Sequence, residues 1–282
     1  LGKVGKEWQK YAFTLEPQAS CDGDFAIVVK NGTVQIDMAT MSTQTGINLG
    51  GFRPDILQAV KELHPTCLRW PGGGYVAQYD WRWGIGPQEN RERWAHWMWM
   101  DYDQNCFGTD EFIKFCREVN SEPVIVVSVR FERPAEEYES ILQNALNWLR
   151  YCNAPATDEW GAKRAANGHP EPYNVKFWCI GNENYLGNRF HKGESADVYA
   201  TNLAHWAKVI KSIYPDLSLL GVGQKSDWTK VVVDKCHQWL DYVTLHFYYT
   251  SRIEDKAMID PAKTLFAGAL VPMVSFIALP LT

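Results

Sequence analysis

The pattern of apolar and polar positions changes period near residue 50. Before that point the apolar runs are short and strand-like. Trp8 to Leu15 and Asp24 to Val29 read as strands, and the turn Lys30-Asn31-Gly32-Thr33 leads into Val34 to Asp37. Asn-Gly between apolar runs is a strong hairpin signal. The segment 1–44 is too short for a whole β-sandwich and reads as the last strands of one. From about residue 50, helical and strand periods alternate. Helices are predicted over 52–64 (Ile56, Val60 and Leu63 on one face), 109–119 (capped by Thr109), 140–152, 195–214 (Leu203, Ala207 and Ile210 inward) and 229–240. Short apolar strands are predicted at 66–70, 123–128, 175–180, 217–222 and 242–246. Strands this apolar are covered on both faces. Strands separated mostly by helices are the signature of a parallel sheet with crossover helices. A doubly wound sheet and a (β/α)8 barrel both fit.

Composition narrows the function classes. The 282 residues are 46% hydrophobic and 22% charged, ordinary for a globular protein, which excludes disorder and collagen-like repeats. The net charge is −5 and no long basic run occurs, so a nucleic-acid partner is not expected. Thirteen tryptophans are an excess. They serve either a large core or flat platforms for sugars. The seven cysteines are widely spaced with no C-x-x-C, which removes zinc-ribbon and thioredoxin readings. Cys67 and Cys179 lie in strand-like runs, and Cys116 and Cys152 on apolar helix faces, so most or all are predicted to be reduced and buried. The histidines lack metal-site spacing, and neither a phosphate-cradling glycine motif nor G-x-S-x-G appears. No metal and no cofactor are expected. The chain shows no signal peptide. Its last 18 residues carry no charge, but Pro272 and Pro280 interrupt them, so no membrane span is expected.

In a barrel, working residues project from the C-terminal ends of the strands. Those ends offer Arg69 and Pro71-Gly72-Gly73-Gly74-Tyr75, then Gly181-Asn182-Glu183-Asn184, then His246 and Tyr248. A carboxyl just past a buried strand, beside an amide and under aromatic neighbours, is of the kind that acts as general acid at neutral pH. Glu183 is that carboxyl, or else a solvated loop glutamate. Arg69 either holds carboxylates in their charge state or makes a structural ion pair. His246 and Tyr248 either contact substrate and the catalytic carboxylate or complete a network at the barrel top. Gly72 to Gly74 either let backbone approach a ligand or make a turn.

These strand ends, in this order, resemble the α-L-arabinofuranosidases of glycoside hydrolase family 51. The resemblance is carried by Leu68-Arg69-Trp70-Pro71-Gly72-Gly73-Gly74-Tyr75, Tyr79-Asp80-Trp81, Gly84-Ile85-Gly86-Pro87 with Arg91 and Arg93, and Asn105 to Phe112. Tyr151-Cys152-Asn153, Trp178-Cys179-Ile180-Gly181-Asn182-Glu183 and His246-x-Tyr248 complete it. It implies an α/β fold, a partial (β/α)8 TIM barrel over 45–268 holding approximately strands two to six. The barrel is preceded over 1–44 by the end of a carbohydrate-module-like β-sandwich and followed over 269–282 by an aberrant or truncated hydrophobic tail. It implies a retaining two-glutamate mechanism in which Glu183 is the acid/base and Asn182 binds the hydroxyl beside the reacting carbon, with His246 and Tyr248 near the nucleophile. Arg69, Gly73, Gly74 and Trp178 are further substrate-binding candidates. Asn105 is either another or an organiser of the loop before its helix. The family nucleophile, a Glu in an Asp-Glu-Trp-like motif ending the seventh strand, is not found after His246. The chain alone is therefore expected not to hydrolyse arabinosides by the retaining route. The implied partner is an arabinose-containing polysaccharide or oligosaccharide, the implied location extracellular or periplasmic, and the full-length protein a possible homo-oligomer. Two alternatives stay open: a barrel that binds carbohydrate without cleaving it, or an inactive fragment; and another retaining glycosidase of the same barrel clan.

Overall fold

The structure, a computed structural model, describes residues 4–19, 22, 24–96, 100–129, 135–187, 193–224, 226–246 and 277–280. It divides into two units, Leu1–Thr43 and Gln44–Thr282. The described residues of the first unit contain no strand, so the hairpin expected at Asn31-Gly32 is not formed there. Gly32 does take a positive φ of 85°. Phe13 and Phe25 stack at 6.3 Å, but Trp8, Phe13, Phe25 and Val28 are all exposed. The turn chemistry is present without the packed face that an isolated hairpin needs.

The second unit follows the predicted alternation closely. Its elements run α1 (Gln44–Asn48), α2 (Pro54–Leu63), β1 (Cys67–Trp70), β2 (Trp94–His96), β3 (Asp101–Asp103), α3 (Thr109–Glu118), β4 (Glu122–Val127) and α4 (Ala135–Asn153). They continue with α5 (Glu159–Ala166), β5 (Phe177–Ile180), α6 (Ala196–Ile213), β6 (Ser218–Val222), α7 (Ser226–Cys236), β7 (Tyr242–Leu245) and β8 (Ile277–Pro280). The main sheet has the order β1-β4-β5-β6-β7-β8, and every pair from β1 to β7 is parallel. Each strand lies beside its predecessor, with no reversal of order. A doubly wound sheet reverses its order at a switch point, whereas a barrel does not. The five parallel strands with their helices are thus part of a (β/α)8 barrel. β8 departs from the barrel pattern by pairing antiparallel to β7.

Strand alternation sorts the core into two faces. Val124, Val126, Cys179 and Leu220 meet on the inner face with Val76. Ile125, Val127, Trp178, Ile180 and Leu219 face the helices, where they join Trp81, Trp148, Tyr151, Leu203 and Trp206. Trp81 and Trp148 stack at 5.6 Å with their planes 4° apart, and Trp148 meets Trp70 and Trp178 edge-on at 6.0 Å each. Such aromatic pairs add about 0.5–1.5 kcal/mol each beyond their buried area. Most of the tryptophan excess is therefore core rather than sugar platform. Among the described cysteines, all are free and most are buried, but the expectation fails for Cys67. Cys116, Cys152, Cys179 and Cys236 are free and buried, but Cys67 and Cys106 are free and exposed. Cys67 starts β1, where the strand has not yet entered the covered part of the sheet.

The short helix α1, the β2–β3 hairpin, α5 and β8 went unpredicted. The β2–β3 hairpin pairs Trp94 with Asp103 and His96 with Asp101. α5 begins on Asp158, whose carboxylate accepts from the Trp160 and Gly161 amides at 2.8 and 3.4 Å. The start of α3 also differs by one residue. Gly108 is the cap residue and Glu111 reaches back to its N–H at 2.8 Å, while the Thr109 hydroxyl accepts from the Trp148 indole at 3.0 Å.

Candidate active site

The C-terminal ends of β1, β5 and β7 bring four of the predicted side chains together. Arg69, on the inner face of β1, donates from Nη2 to Oδ1 of Asn182 at 2.6 Å. His246 follows β7, and its Nδ1 lies 2.9 Å from Oε1 of Glu183. The two side chains are only 9% and 16% exposed, which shields the pair from bulk water. Sequence separations of 113 and 63 residues are thus closed by the parallel sheet.

The local sequence explains how these groups reach the site. A Cβ on Gly72 would lie 2.8 Å from Nη1 of Arg69, so the glycine leaves room for the guanidinium. Gly73, at φ 62°, opens a 3-10 turn over Gly73–Ala77 that also contains Gly74. Tyr75 in that turn donates to Oδ2 of Asp103 at 2.5 Å and stacks on His96 at 5.1 Å, tying the glycine loop to the β2–β3 hairpin. Burial lowers the pKa of His96, which favours a neutral ring in that stack. Beyond β5, Gly181 at φ 96° and Glu183 at φ 47° turn the chain sharply over the sheet end. Tyr199 of α6 braces the turn from below. Its hydroxyl donates to the Ile180 carbonyl at 2.6 Å and accepts from the Val222 amide at 2.8 Å, so it bridges the ends of β5 and β6.

Two candidates are displaced from the site. Trp178 points to the opposite face of β5, is 1% exposed, and donates its indole N–H to the Val175 carbonyl at 3.1 Å. Strand alternation forces this, because the inner position of β5 belongs to Cys179. Trp178 is a core residue and not a sugar contact. Asn105 is fully buried at φ 53°. Its Nδ2 donates to the Glu92 carbonyl at 2.6 Å, its N–H to Oδ1 of Asp103 at 2.6 Å, and its carbonyl accepts from Arg91 at 2.8 Å. These bonds tie it into the loop before α3. Tyr248 lies outside the described residues.

An Asp-Glu-Trp triplet does occur, at Asp158-Glu159-Trp160, but it opens α5. Asp158 caps the helix and pairs with Arg150 at 2.7 Å, while Glu159 pairs with Lys163 at 3.3 Å on an exposed face. It supplies no second carboxylate to Glu183. Among the described residues no cluster of His, Cys, Asp and Glu could hold a metal ion, and no helix is long and apolar enough to cross a membrane.

The arrangement offers a carboxyl held by an imidazole, beside an amide held by a guanidinium, at the end of a parallel sheet. This is a set suited to proton transfer and to gripping a polyhydroxylated ligand. The profile of the α-L-arabinofuranosidase 1 domain matches residues 59–263. An intracellular exo-α-(1→5)-L-arabinofuranosidase of Acetivibrio thermocellus is 33% identical, over 73% of this chain and 41% of its own length. A probable α-L-arabinofuranosidase C of Aspergillus niger is 34% identical, over 79% of this chain and 39% of its own. Among solved structures, the arabinose complex of the Thermotoga maritima α-L-arabinofuranosidase superposes with a TM-score of 0.64 and 36% identity, over 79% of this chain and 44% of that one. A family 51 α-L-arabinofuranosidase of Bifidobacterium longum gives 0.66 and 33%, over 78% and 43%. The chain thus spans about two fifths of the length of the curated relatives it matches.

Proposed function

The chain belongs to the α-L-arabinofuranosidases of glycoside hydrolase family 51, and from that premise we propose that it provides the acid/base half of a retaining active site for terminal arabinofuranose. The observation that carries the reading is the pair of contacts at the strand ends, Glu183 with His246 and Arg69 with Asn182.

Retaining hydrolysis uses two carboxyls about 5–5.5 Å apart, one a nucleophile and one a proton donor. Glu183 takes the second role. Its proton passes to the departing glycosidic oxygen, and it then removes a proton from the water that releases arabinose. The His246 ring fixes the orientation of the Glu183 carboxyl through Nδ1. Asn182, with its side-chain carbonyl oxygen engaged by Arg69, keeps its NH2 group for a sugar hydroxyl. Gly73 and Gly74 present backbone rather than side chain at the end of β1. The nucleophile is not among the site's described residues. The substrate class is an arabinose-containing polysaccharide or oligosaccharide.

The deciding experiment is equilibrium binding of L-arabinose to the purified 282-residue chain. Saturable binding that weakens at least about tenfold in Asn182→Ala is expected, the loss of one hydrogen bond to a buried polar partner being of that order. Equal binding by both chains, or none by either, would remove the reading. Incubation with an aryl α-L-arabinofuranoside is expected to give no turnover. Turnover that disappears in Glu183→Gln would show a complete retaining site and overturn the assignment of only half of one.

A further inference from the structure

We infer that Asn184 and Glu194 are a positioning pair that sets the backbone of Glu183 and thereby its contact with His246; the inference rests on the reading of Glu183 as proton donor. Glu183 stands at φ 47°, in the left-handed region that side chains other than Gly, Asn and Asp seldom occupy. A residue persists there only where its surroundings over-determine it. The surroundings converge on the next residue. Asn184 is 2% exposed, and its Nδ2 donates both to the Val129 carbonyl at 2.9 Å, just past β4, and to Oε2 of Glu194 at 3.0 Å. Glu194 is 6% exposed and returns its backbone N–H to the Asn184 carbonyl at 2.9 Å. The two residues are therefore joined twice, through side chains and through main chain.

Two glycines are shaped around the pair. A Cβ on Gly181 would overlap Oδ1 of Asn184, and a Cβ on Gly193 would overlap the Tyr185 carbonyl where the chain returns to Glu194. A primary amide has two donor hydrogens, which is what a carbonyl and a carboxylate together require. Alanine at 184 removes both donors, and aspartate would set a second carboxylate against Glu194. Because Asn184 is anchored to the end of β4 and to Glu194, the carboxyl one residue earlier has a fixed base from which to meet His246.

The test is NMR of the full 282-residue chain, reading the His246 ring nitrogens. In the native chain, Glu183→Gln is expected to shift the Nδ1 resonance of His246. In an Asn184→Ala or Glu194→Ala background the same change is expected to leave that resonance unmoved. Glu194→Gln keeps an acceptor for the Asn184 amide and is expected to preserve the response. Circular dichroism melts establish that each variant is folded. If Asn184→Ala does not fold, the contrast between Glu194→Ala and Glu194→Gln decides alone. A response of native size in the alanine backgrounds overturns the proposal, as does its loss in folded Glu194→Gln. If Glu183→Gln leaves His246 unmoved in the native chain, the pair is absent and the proposal falls, whereas failure of the function reading appears separately as missing arabinose binding.

Discussion

Gly181 and Glu183 flank one turn, and both take positive φ. At Gly181, φ is 96° and the space of a Cβ is filled by Oδ1 of Asn184. Gly181→Ala therefore combines a forbidden backbone conformation with a clash. It is expected to destabilise the chain by about 1–3 kcal/mol, read as a lower urea midpoint at unchanged slope. Gly72 is a contrasting case, since its neighbour is the far end of the Arg69 side chain, which can give way. At this scale the sequence was informative about identity and poor about direction. Glu183, Asn182, Arg69 and His246 could be picked out because polar groups at the ends of apolar strands stand out. Trp178 could not be excluded, because which side of a strand faces the inner cluster depends on its neighbours and not on its own residues.

The elements that hold the site in place rely on buried ionic and polar joints. Arg91 and Glu111 pair bidentately at 2.9 Å in both arms, with the Arg91 side chain 2% exposed, and so fix the loop between the hairpin and α3. Glu111→Ala would strand that guanidinium and is expected to cost about 3 kcal/mol by chemical denaturation. On the outer side, Tyr151 and Tyr173 donate to Asp110 at 2.8 and 2.7 Å, joining α3 to the C-terminal part of α4 and to the segment before β5. Burial raises the Asp110 pKa above the ordinary 3.8, outweighing the two hydroxyls that pull it down. The folded chain therefore keeps this proton to higher pH than the unfolded chain. The stability contributed by Asp110 falls as pH rises from 3.8 through the folded value. Asp110→Asn cannot titrate and is expected to flatten that fall, measured as unfolding free energy from about pH 4 to about pH 7. The parallel strands β1 and β4 to β7 and the helices between them were legible because their apolar periods are regular. The β2–β3 hairpin and α5 were not, since each is short and its signal lies in a few caps and aromatic contacts: Asp158 for α5, and the Tyr75–His96 stack for the hairpin.

At the scale of the molecule, the parallel direction of the strands is what assembles the site, because it carries the β1, β5 and β7 ends to one side. The described sheet ends on β1 at one side and β8 at the other. An uncovered edge strand is a template for pairing between chains. β8 covers β7 through the pairs Thr244–Ala278 and Val243–Leu279. Thr244 turns its carbonyl to the Gly223 amide at the end of β6, so Leu279, opposite Val243, is the residue whose N–H faces β7. Leu279→Pro removes that donor and is expected to loosen β8 and increase self-association, seen as a rise in light scattering at constant concentration. The stacked indoles of Trp81 and Trp148 carry a different consequence. Two stacked chromophores with nearly parallel planes, 5.6 Å apart, exchange excitation, and the edge-on Trp70 and Trp178 lie within reach of the same transfer. The chain thus contains its own optical gauge. Its near-ultraviolet dichroism and emission colour report whether α4 and the loop after β1 remain seated on the sheet, and they do so without any label.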